Sequence, residues 1–314
     1  RNGLQVPVHD RAIKTRVPAI DIRVPAGESV DVYMAFTSKF PASFAVRIDK
    51  PAGFAAWVEW QSIGYAFFFG ASIAIILYNL LLFASLRQTI YLVYSLHAFC
   101  ATLFVALFSD LTLYTITDLE SHYRLTIFTW LQVALMVEFT RRLLNTRALS
   151  VAADWILRGI IVFYLLVAVA SFVNVRYYEI GIMGVLPLTT FVFLVGCYSV
   201  YRRNPLGVLY VIAQGAYLVG NFLIAGLSLG FFEHGFLTRY GFIVGSLIEL
   251  VLFSLALGYR FRLIQGKALV AAGALVAVER DNAATLQAKV DQQTSALKQS
   301  ADQLRALTAD YDGL

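Results

Sequence analysis

The organisation of this chain follows from the stretch GFIVGSLIELVLFSLALGYRFRLI, residues 241–264. This stretch is apolar over more than the ~20 residues that a helix needs to cross the hydrocarbon of a bilayer. No proline follows it before Leu314, and proline is the residue that interrupts helices most strongly. The stretch therefore predicts a membrane helix that continues into water as one helix.

A heptad pattern occupies the polar continuation of this helix. From Lys267 onward, apolar residues recur every seven positions, and a second set lies three positions after each; this spacing is typical of a coiled coil. Because Glu279, Gln293 and Ser300 occupy some core positions, we expect a weak seam that pairs two copies of the chain in parallel. The predicted seam consists of Leu269, Val276, Ala283, Leu286, Val290, Leu297, Leu304, Leu307 and Tyr311.

The composition places the whole chain in the membrane class. Of its 314 residues, 59% are hydrophobic, and its mean hydropathy is +0.69, well above that of soluble domains. Seven apolar segments predict an α-helical bundle of seven transmembrane helices over residues 61–263, surrounded by membrane lipid, with residues 264–314 as a cytoplasmic signalling helix. The segments lie at about residues 63–86, 90–109, 123–144, 155–173, 179–200, 206–230 and 237–262.

Residues 1–60 show the period-2 alternation of β-strands. Strands are predicted over residues 17–24, 30–36 and 44–48, with a turn at residues 25–27 between the first two. Three strands are too few to close a sandwich. We therefore expect residues 1–60 to be part of a β domain that is completed upstream, and the chain to be a middle piece of a longer protein.

Positive charges concentrate on one side of the predicted bundle, and the positive-inside rule places that side in the cytoplasm. The N-terminal β segment is then extracytoplasmic and the coiled coil is cytoplasmic. The opposite loops hold Arg124, Arg176 and Arg239 beside several acidic residues. The cytoplasmic set consists of Arg87, Arg141, Arg142, Arg147, Arg158, Arg202, Arg203, Arg260, Arg262 and Lys267.

The sequence offers little to an enzyme. It contains no Gly-rich phosphate loop, no Cys/His metal spacing and no Ser/His/Asp signature. All lysines lie outside the predicted spans, which excludes a retinal Schiff base. We expect no catalytic residue, no cofactor, no metal and no nucleic-acid partner within these residues.

Polar residues inside the predicted spans are the candidates for transmitting a signal. Glu249 lies near the middle of the seventh span, where an ionised carboxyl costs about 2.5–3.5 kcal/mol on insertion scales. The other candidates are Asn79, His97, Glu138 and Gln214, which lie at similar depth by residue count. These residues either pack the helices together through hydrogen bonds or form a layer that rearranges on signalling; a proton or transport path is a third interpretation.

Two glycines follow the seventh span and soften the predicted helix. Gly266 and Gly273 each weaken a helix by about 1 kcal/mol relative to alanine. The apolar run ALVAAGALVAV, residues 268–278, offers a competing seam register. We predict a two-state hinge here; the alternative is a helix that only packs against lipid headgroups or another subunit.

Several stretches resemble one family, the bacterial seven-transmembrane receptors with diverse intracellular signalling modules (7TMR-DISM). The stretches are GASIAIILYNLLLFASLRQTIYLVYSL at residues 70–96, EFTRRLLNT at 138–146 and GSLIELVLFSLALGYRFRLI at 245–264. RVPAIDIRVPAGESVDVYMAFTS, residues 16–38, resembles the closing strands of the family's extracytoplasmic jelly roll. The resemblance implies a multi-pass receptor of the bacterial inner membrane for a small, carbohydrate-like extracytoplasmic ligand.

The C-terminal residues ADYDGL, 309–314, resemble the opening of a diguanylate cyclase domain, which makes cyclic-di-GMP. A histidine kinase is the rival output, and an ordinary helix end at Asp312 and Gly313 is the structural alternative. The sequence predicts a receptor whose seventh helix and dimeric coil control such an output. A transporter or channel with a coiled-coil assembly device and a purely structural membrane anchor are the competing classes.

Overall fold

The structure is a computed structural model that describes residues 6, 8–35, 46–109, 111–114 and 124–311. Short helical turns lie at Val8–Asp10, Leu111–Tyr114, Thr146–Leu149 and Val175–Tyr177. The long helices are α1 Pro51–Leu86, α2 Thr89–Phe108, α3 Ile127–Leu144, α4 Val151–Val173, α5 Tyr178–Tyr201, α6 Gly207–Ser228 and α7 Phe236–Tyr311. The protein is an α-helical membrane protein, and each predicted span overlaps one of these helices.

Within the described ranges, six helices are long and apolar enough to cross a membrane: α1, α2 and α4 to α7. Helix α3 is not one of them because its 18 residues include Glu138, Arg141 and Arg142. It is nevertheless central to the bundle. Its Phe139 ring centroid lies 5.1 Å from that of Tyr94 on α2 and 4.9 Å from that of Phe253 on α7. Its polar residues therefore reflect a helix that packs against protein on several sides.

Helix α1 begins twelve positions before the predicted start of the first span. It runs for 36 residues from Pro51, which at 1.5 Å per residue is about 54 Å, longer than the ~30 Å of hydrocarbon. Proline is favourable at this first helical position because its missing N–H would have no partner there. Trp57 and Trp60 thus belong to the helix itself, on a turn that extends beyond the apolar run.

Glycines allow close packing of the α6 and α7 backbones. A Cβ at Gly245 would lie 2.5 Å from the carbonyl oxygen of Ala216, and one at Gly220 would lie 2.8 Å from the Cα of Phe242. These two contacts also fix the antiparallel register of the helices. The same register places Gln214 on α6 level with Glu249 on α7.

The predicted strands of the N-terminal segment are not formed in its described residues, 17–24 and 30–35 and 46–48. The predicted turn is confirmed: the Glu28 amide donates to the Pro25 carbonyl at 3.1 Å, and Gly27 takes a φ of +86° that glycine tolerates best. The alternating apolar side chains, such as Ile20 and Val24, are exposed. A strand needs a neighbouring strand to satisfy its backbone, and the described part of this segment supplies none. Phe36 and Phe44 lie outside the described residues.

The chain divides into two compact units, Arg1–Leu257 and Gly258–Leu314. The first contains the bundle. In the second, the described residues continue helix α7 without interruption to Tyr311, which confirms the predicted helix. Seam residues along it, including Leu269, Leu286 and Leu297, are exposed. Their pairing with a second copy stays a prediction.

Candidate functional site

A buried carboxylate and a buried imidazole face each other inside the bundle. Glu249 on α7 and His97 on α2 are almost completely buried, and Nε2 of His97 lies 4.0 Å from Oε2 of Glu249. This distance is too long for a hydrogen bond. Buried ionisable groups in a membrane bundle are costly unless they have partners. The structure thus offers His97 as the ionisable partner of Glu249.

The ring of His97 is oriented by α3. Its Nδ1 lies 3.2 Å from the backbone carbonyl oxygen of Gln132. A carbonyl only accepts, so in the neutral ring the hydrogen is on Nδ1 and Nε2 is an acceptor. Among the described residues, neither Nε2 of His97 nor Oε1 of Glu249 has a hydrogen-bond partner. In the structure the two side chains thus face each other across a gap about 1 Å longer than a hydrogen bond.

Three tyrosine hydroxyls surround this pair, each engaged with another group. Tyr94 donates to the backbone carbonyl of Leu250, the residue after Glu249. The Tyr210 hydroxyl lies 2.9 Å from the Thr140 hydroxyl, and that of Tyr217 accepts from the Gln132 side chain at 3.3 Å. The tyrosines lie within electrostatic reach of Glu249. Hydrogen bonds among these residues therefore join α2 to α3 and to α7, and α3 to α6. We call this set, together with Glu249, the polar network.

Two other predicted residues lie in or near this network. Gln214 is buried, its Nε2 lies 3.8 Å from the sulfur of Met136, and its Oε1 has no partner among the described residues. Asn79 is buried on α1 and donates to the hydroxyl of Ser254 on α7 at 3.0 Å and to the Ile75 carbonyl at 2.9 Å. Asn79 thus ties α1 to α7 more than one turn beyond Glu249.

Glu138 belongs to a different cluster. It is partly exposed and pairs with Arg141 and Arg142, three and four residues further along α3. Arg141 also contacts Asp154 at the start of α4, at 3.0 Å. The structure therefore separates Glu138 from the network around Glu249, because its helical neighbours supply its partners.

The residue that sequence reasoning missed is Asp154. It is buried and accepts from the Thr146 hydroxyl at 2.7 Å and from Arg158 at 3.0 Å, besides Arg141. This carboxylate joins the end of α3, the turn after it and α4. A sequence signal existed: an acidic residue in the first helical turn with an arginine four residues later.

The remaining candidates lie in the second compact unit. Gly266 and Gly273 are in uninterrupted helix, and a Cβ at either would meet nothing within 4 Å in the part of the chain that the structure describes. The seam residues from Leu269 to Leu304 are likewise helical and exposed, and Leu307 and Tyr311 lie in the same helix. Across the described residues, no group of three or more His, Cys, Asp and Glu side chains could hold a metal ion.

A comparison with protein families identifies this bundle. Residues 61–260 match the model of the family described as 7TM diverse intracellular signalling. No curated protein and no solved structure matches the chain. The match covers more than half of the chain and includes the whole polar network, in agreement with the resemblance of the span sequences. The chain therefore belongs to the 7TM diverse intracellular signalling family and is a multi-pass membrane protein.

Proposed function

We propose that the chain is the membrane part of a bacterial receptor that senses a small, carbohydrate-like ligand outside the inner membrane. Ligand binding biases the packing of seven helices, α7 carries the bias into a parallel dimeric coil, and the coil controls a C-terminal diguanylate cyclase. A histidine kinase is the alternative output. By linkage, the ligand shifts the output only by its differential affinity for the two receptor states.

One observation carries this proposal: helix α7 belongs to both functional parts. Between Phe242 and Leu257 it forms the buried core of the bundle and holds Glu249, Leu250 and Ser254, which are in contact with α2 and α1. The same helix runs on to Tyr311 with its heptad positions exposed. A change at the polar network therefore acts directly on the helix that bears the predicted dimer seam.

In this proposal α3 also crosses the membrane and brings the number of spans to seven. Its 18 residues give a length of about 27 Å, close to the hydrocarbon thickness. Its charged residues are at its C-terminal end, where Arg141 and Arg142 pair with Glu138. Charge at a helix end lies near the headgroups rather than in the middle of the bilayer. Six apolar helices and α3 make an odd number of spans, which supports opposite sides for the N-terminal segment and the predicted coil.

The charges at the C-terminal end of α3 support the proposed orientation of the chain in the membrane. Arg141, Arg142 and Arg158 cluster there with two carboxylates, Glu138 and Asp154. The excess of positive charge supports the cytoplasmic assignment of this side. The N-terminal segment is then periplasmic, and the coil is cytoplasmic.

The homodimer is supported by the exposed seam. A lone amphipathic helix of this length gains stability when its apolar stripe is buried against a partner, and an a/d stripe fits a second copy of the same helix. Leu269, Leu286, Leu297 and Leu304 supply that stripe. Parallel pairing would bring two output domains together, as an enzyme with an active site between two subunits requires.

The test uses the intact receptor in cells, with cyclic-di-GMP and membrane-inserted protein measured together. Glu249→Gln replaces the titratable carboxyl by an amide that can donate to Nε2 of His97 regardless of pH. We expect a changed output at unchanged protein level; a bias of about 1 kcal/mol corresponds to about fivefold. Glu233→Gln, at an exposed position, is the matched control and should leave the output unchanged.

Two outcomes would contradict the proposal. If Glu249→Gln only lowers the amount of folded protein, the pair is structural. If reconstituted protein shows substrate-dependent flux across liposomes, the chain is a transporter, and the coil is an assembly device.

A further inference from the structure

A buried arginine connects the N-terminal segment to the bundle. Arg16 is 6% exposed, and its Nη1 donates to the backbone carbonyl of Ser109, at the end of α2, at 3.1 Å. Its guanidinium carbon lies 4.7 Å from the ring centroid of Tyr65 on α1, and Nη2 donates to the side-chain carbonyl of Gln61. A buried guanidinium is stable only with such partners. Arg16 is thus held at the junction of the N-terminal segment, α1 and α2.

Gln61 passes this contact to α7. It is buried, its Oε1 accepts from Arg16, and its Nε2 donates to the hydroxyl of Tyr240 at 2.6 Å. The guanidinium can only donate, so it must face the amide oxygen. The amide nitrogen is therefore turned towards Tyr240 as long as Arg16 is in place. Without Arg16, this constraint on the orientation of the Gln61 amide would be lost.

A second buried arginine fixes the backbone that carries Arg16. Arg11 donates from Nη1 to the carbonyls of Thr15 and Arg16, at 2.8 and 2.9 Å, and from Nε to that of Val6 at 3.0 Å. These bonds tie the backbone at Val6, Thr15 and Arg16 to one buried side chain. The backbone of Arg16 is therefore anchored to the rest of the N-terminal segment.

An open cavity of about 220 Å³ lies beside Arg16 and is lined by Ser62, Tyr65 and Phe69 of α1. Arg16 therefore borders unfilled space on one side, while its N–H groups are directed at Ser109 and Gln61.

We propose that Arg16, Gln61 and Tyr240 form a positioning relay through which movement of the N-terminal segment reaches α7. Tyr240 lies near the beginning of the helix that holds Glu249, so the relay acts on the element that carries the polar network. Its role as the input of a signal rests on the proposed receptor function. The coupling itself is a property of the bundle and is measurable without any output.

The experiment measures that coupling with spin labels on the full chain in lipid nanodiscs. Cys100 and Cys197, the two cysteines of the sequence, are replaced by serine, and a nitroxide is attached at the exposed position Phe236 on α7. Arg16→Ala should raise the mobility of this label. With Tyr240→Phe, which removes only the hydroxyl, the label should already be mobile, and Arg16→Ala should add nothing.

A second label, at the exposed Ile20, tests the relay in the opposite direction. Coupling is reciprocal, so Tyr240→Phe should raise the mobility of the Ile20 label. This arm decides the question even if Arg16→Ala does not fold. Arg23→Ala removes an exposed arginine of the same segment and should leave the Phe236 label unchanged.

The relay is refuted if Arg16→Ala mobilises the Phe236 label equally with and without the Tyr240 hydroxyl, or if Tyr240→Phe does not affect the Ile20 label. The receptor function is judged separately, by the cyclic-di-GMP of the intact protein. If the label mobilities are coupled but Arg16→Ala does not change the cyclic-di-GMP level, the relay exists and its role as the signal input is wrong. If the label mobilities are not coupled but the cyclic-di-GMP level still responds to ligand, the relay is wrong and the receptor function stands.

Discussion

Helix α7 contains a stretch with many buried residues, 242–257, and an exposed stretch, 265–304. The same residue types occur in both. Leu250 is completely buried, whereas Leu269 is 77% exposed. A Cβ at Gly245 would lie 2.5 Å from the Ala216 carbonyl oxygen, whereas one at Gly266 would meet nothing within 4 Å in the described part of the chain. The first stretch obtains its partners from its own chain. The second stretch is exposed in the structure.

The difference shows that residue type alone does not assign a role along this helix. Glu249 is buried opposite His97, while Glu279 is exposed. The first carboxyl lies in the interior of the bundle, beside a side chain of another helix, whereas the second lies on the exposed surface of α7. The same substitution can therefore be made at a buried and at an exposed position of α7, and the two changes in the free energy of unfolding can be compared.

The largest contrast is expected for leucine. Leu250→Ala leaves a cavity in the core and should lower the free energy of unfolding by about 2–5 kcal/mol. Leu269→Ala, on an exposed face, should change bundle unfolding by less than about 0.5 kcal/mol. Unfolding in detergent can be followed by the fluorescence of Trp130, which is fully buried between Tyr164 and Tyr178. Equal losses for the two variants would contradict the two environments.

The next contrast compares glycine-to-alanine substitutions in the two stretches, and their effects on stability should have opposite signs. Gly245→Ala forces the α6 and α7 backbones apart, since the added Cβ meets a carbonyl oxygen, and should cost about 1–3 kcal/mol. Gly266→Ala adds helix propensity of up to about 1 kcal/mol without a clash. The first is measured by unfolding of the bundle and the second by slower amide hydrogen exchange around residue 266.

Gly258→Ala is the control for this pair. Its added Cβ would also meet nothing within 4 Å in the described residues, so it should not destabilise the bundle. If Gly245→Ala is as well tolerated as Gly258→Ala, the close approach of α6 and α7 is not tight in the membrane.

Much of this architecture was predictable from hydrophobicity. Apolar runs located the long helices, and the lack of proline predicted that α7 continues beyond the membrane. The cost of an ionised carboxyl in the membrane marked Glu249 as a residue that needs a special environment, and the structure shows it buried in the bundle. The identity of its partner was not predictable, because the pairing of His97 with Glu249 depends on how α2 and α7 rotate about their axes. Counting residues predicts how deep a side chain lies in the membrane. Which neighbouring helix the side chain faces depends on how the helices pack.

Glu138, Asp154 and the predicted strands were misjudged because their partners depend on packing. Glu138 has the depth of the network but faces Arg141 and Arg142 instead, because near neighbours along α3 satisfied it. Asp154 has a local partner, Arg158, but its contacts with Arg141 and Thr146 depend on how α3 and α4 meet. The predicted strands needed hydrogen-bonding neighbours that the described N-terminal segment lacks. Depth along a helix and alternation along a strand therefore did not specify which groups come into contact.

The smallest contrast tests a single hydrogen bond that fixes α1 on α7. Ser254→Ala removes the hydroxyl that accepts from Asn79 at 3.0 Å, but Asn79 keeps its bond to the Ile75 carbonyl. The loss should therefore be modest, about 0.6 kcal/mol, the average for hydrogen bonds between membrane helices. Ser295→Ala, on the exposed stretch, should change bundle unfolding by less than that.

A double-mutant cycle isolates the contact between Asn79 and Ser254. Each single alanine variant and the pair are unfolded in the same detergent series, and the coupling energy is the difference between the pair and the sum of the singles. A coupling near zero would mean that this hydrogen bond does not hold α7 against α1. The hydrogen bond from Gln61 to Tyr240 would then be the remaining polar contact between α1 and α7 described above.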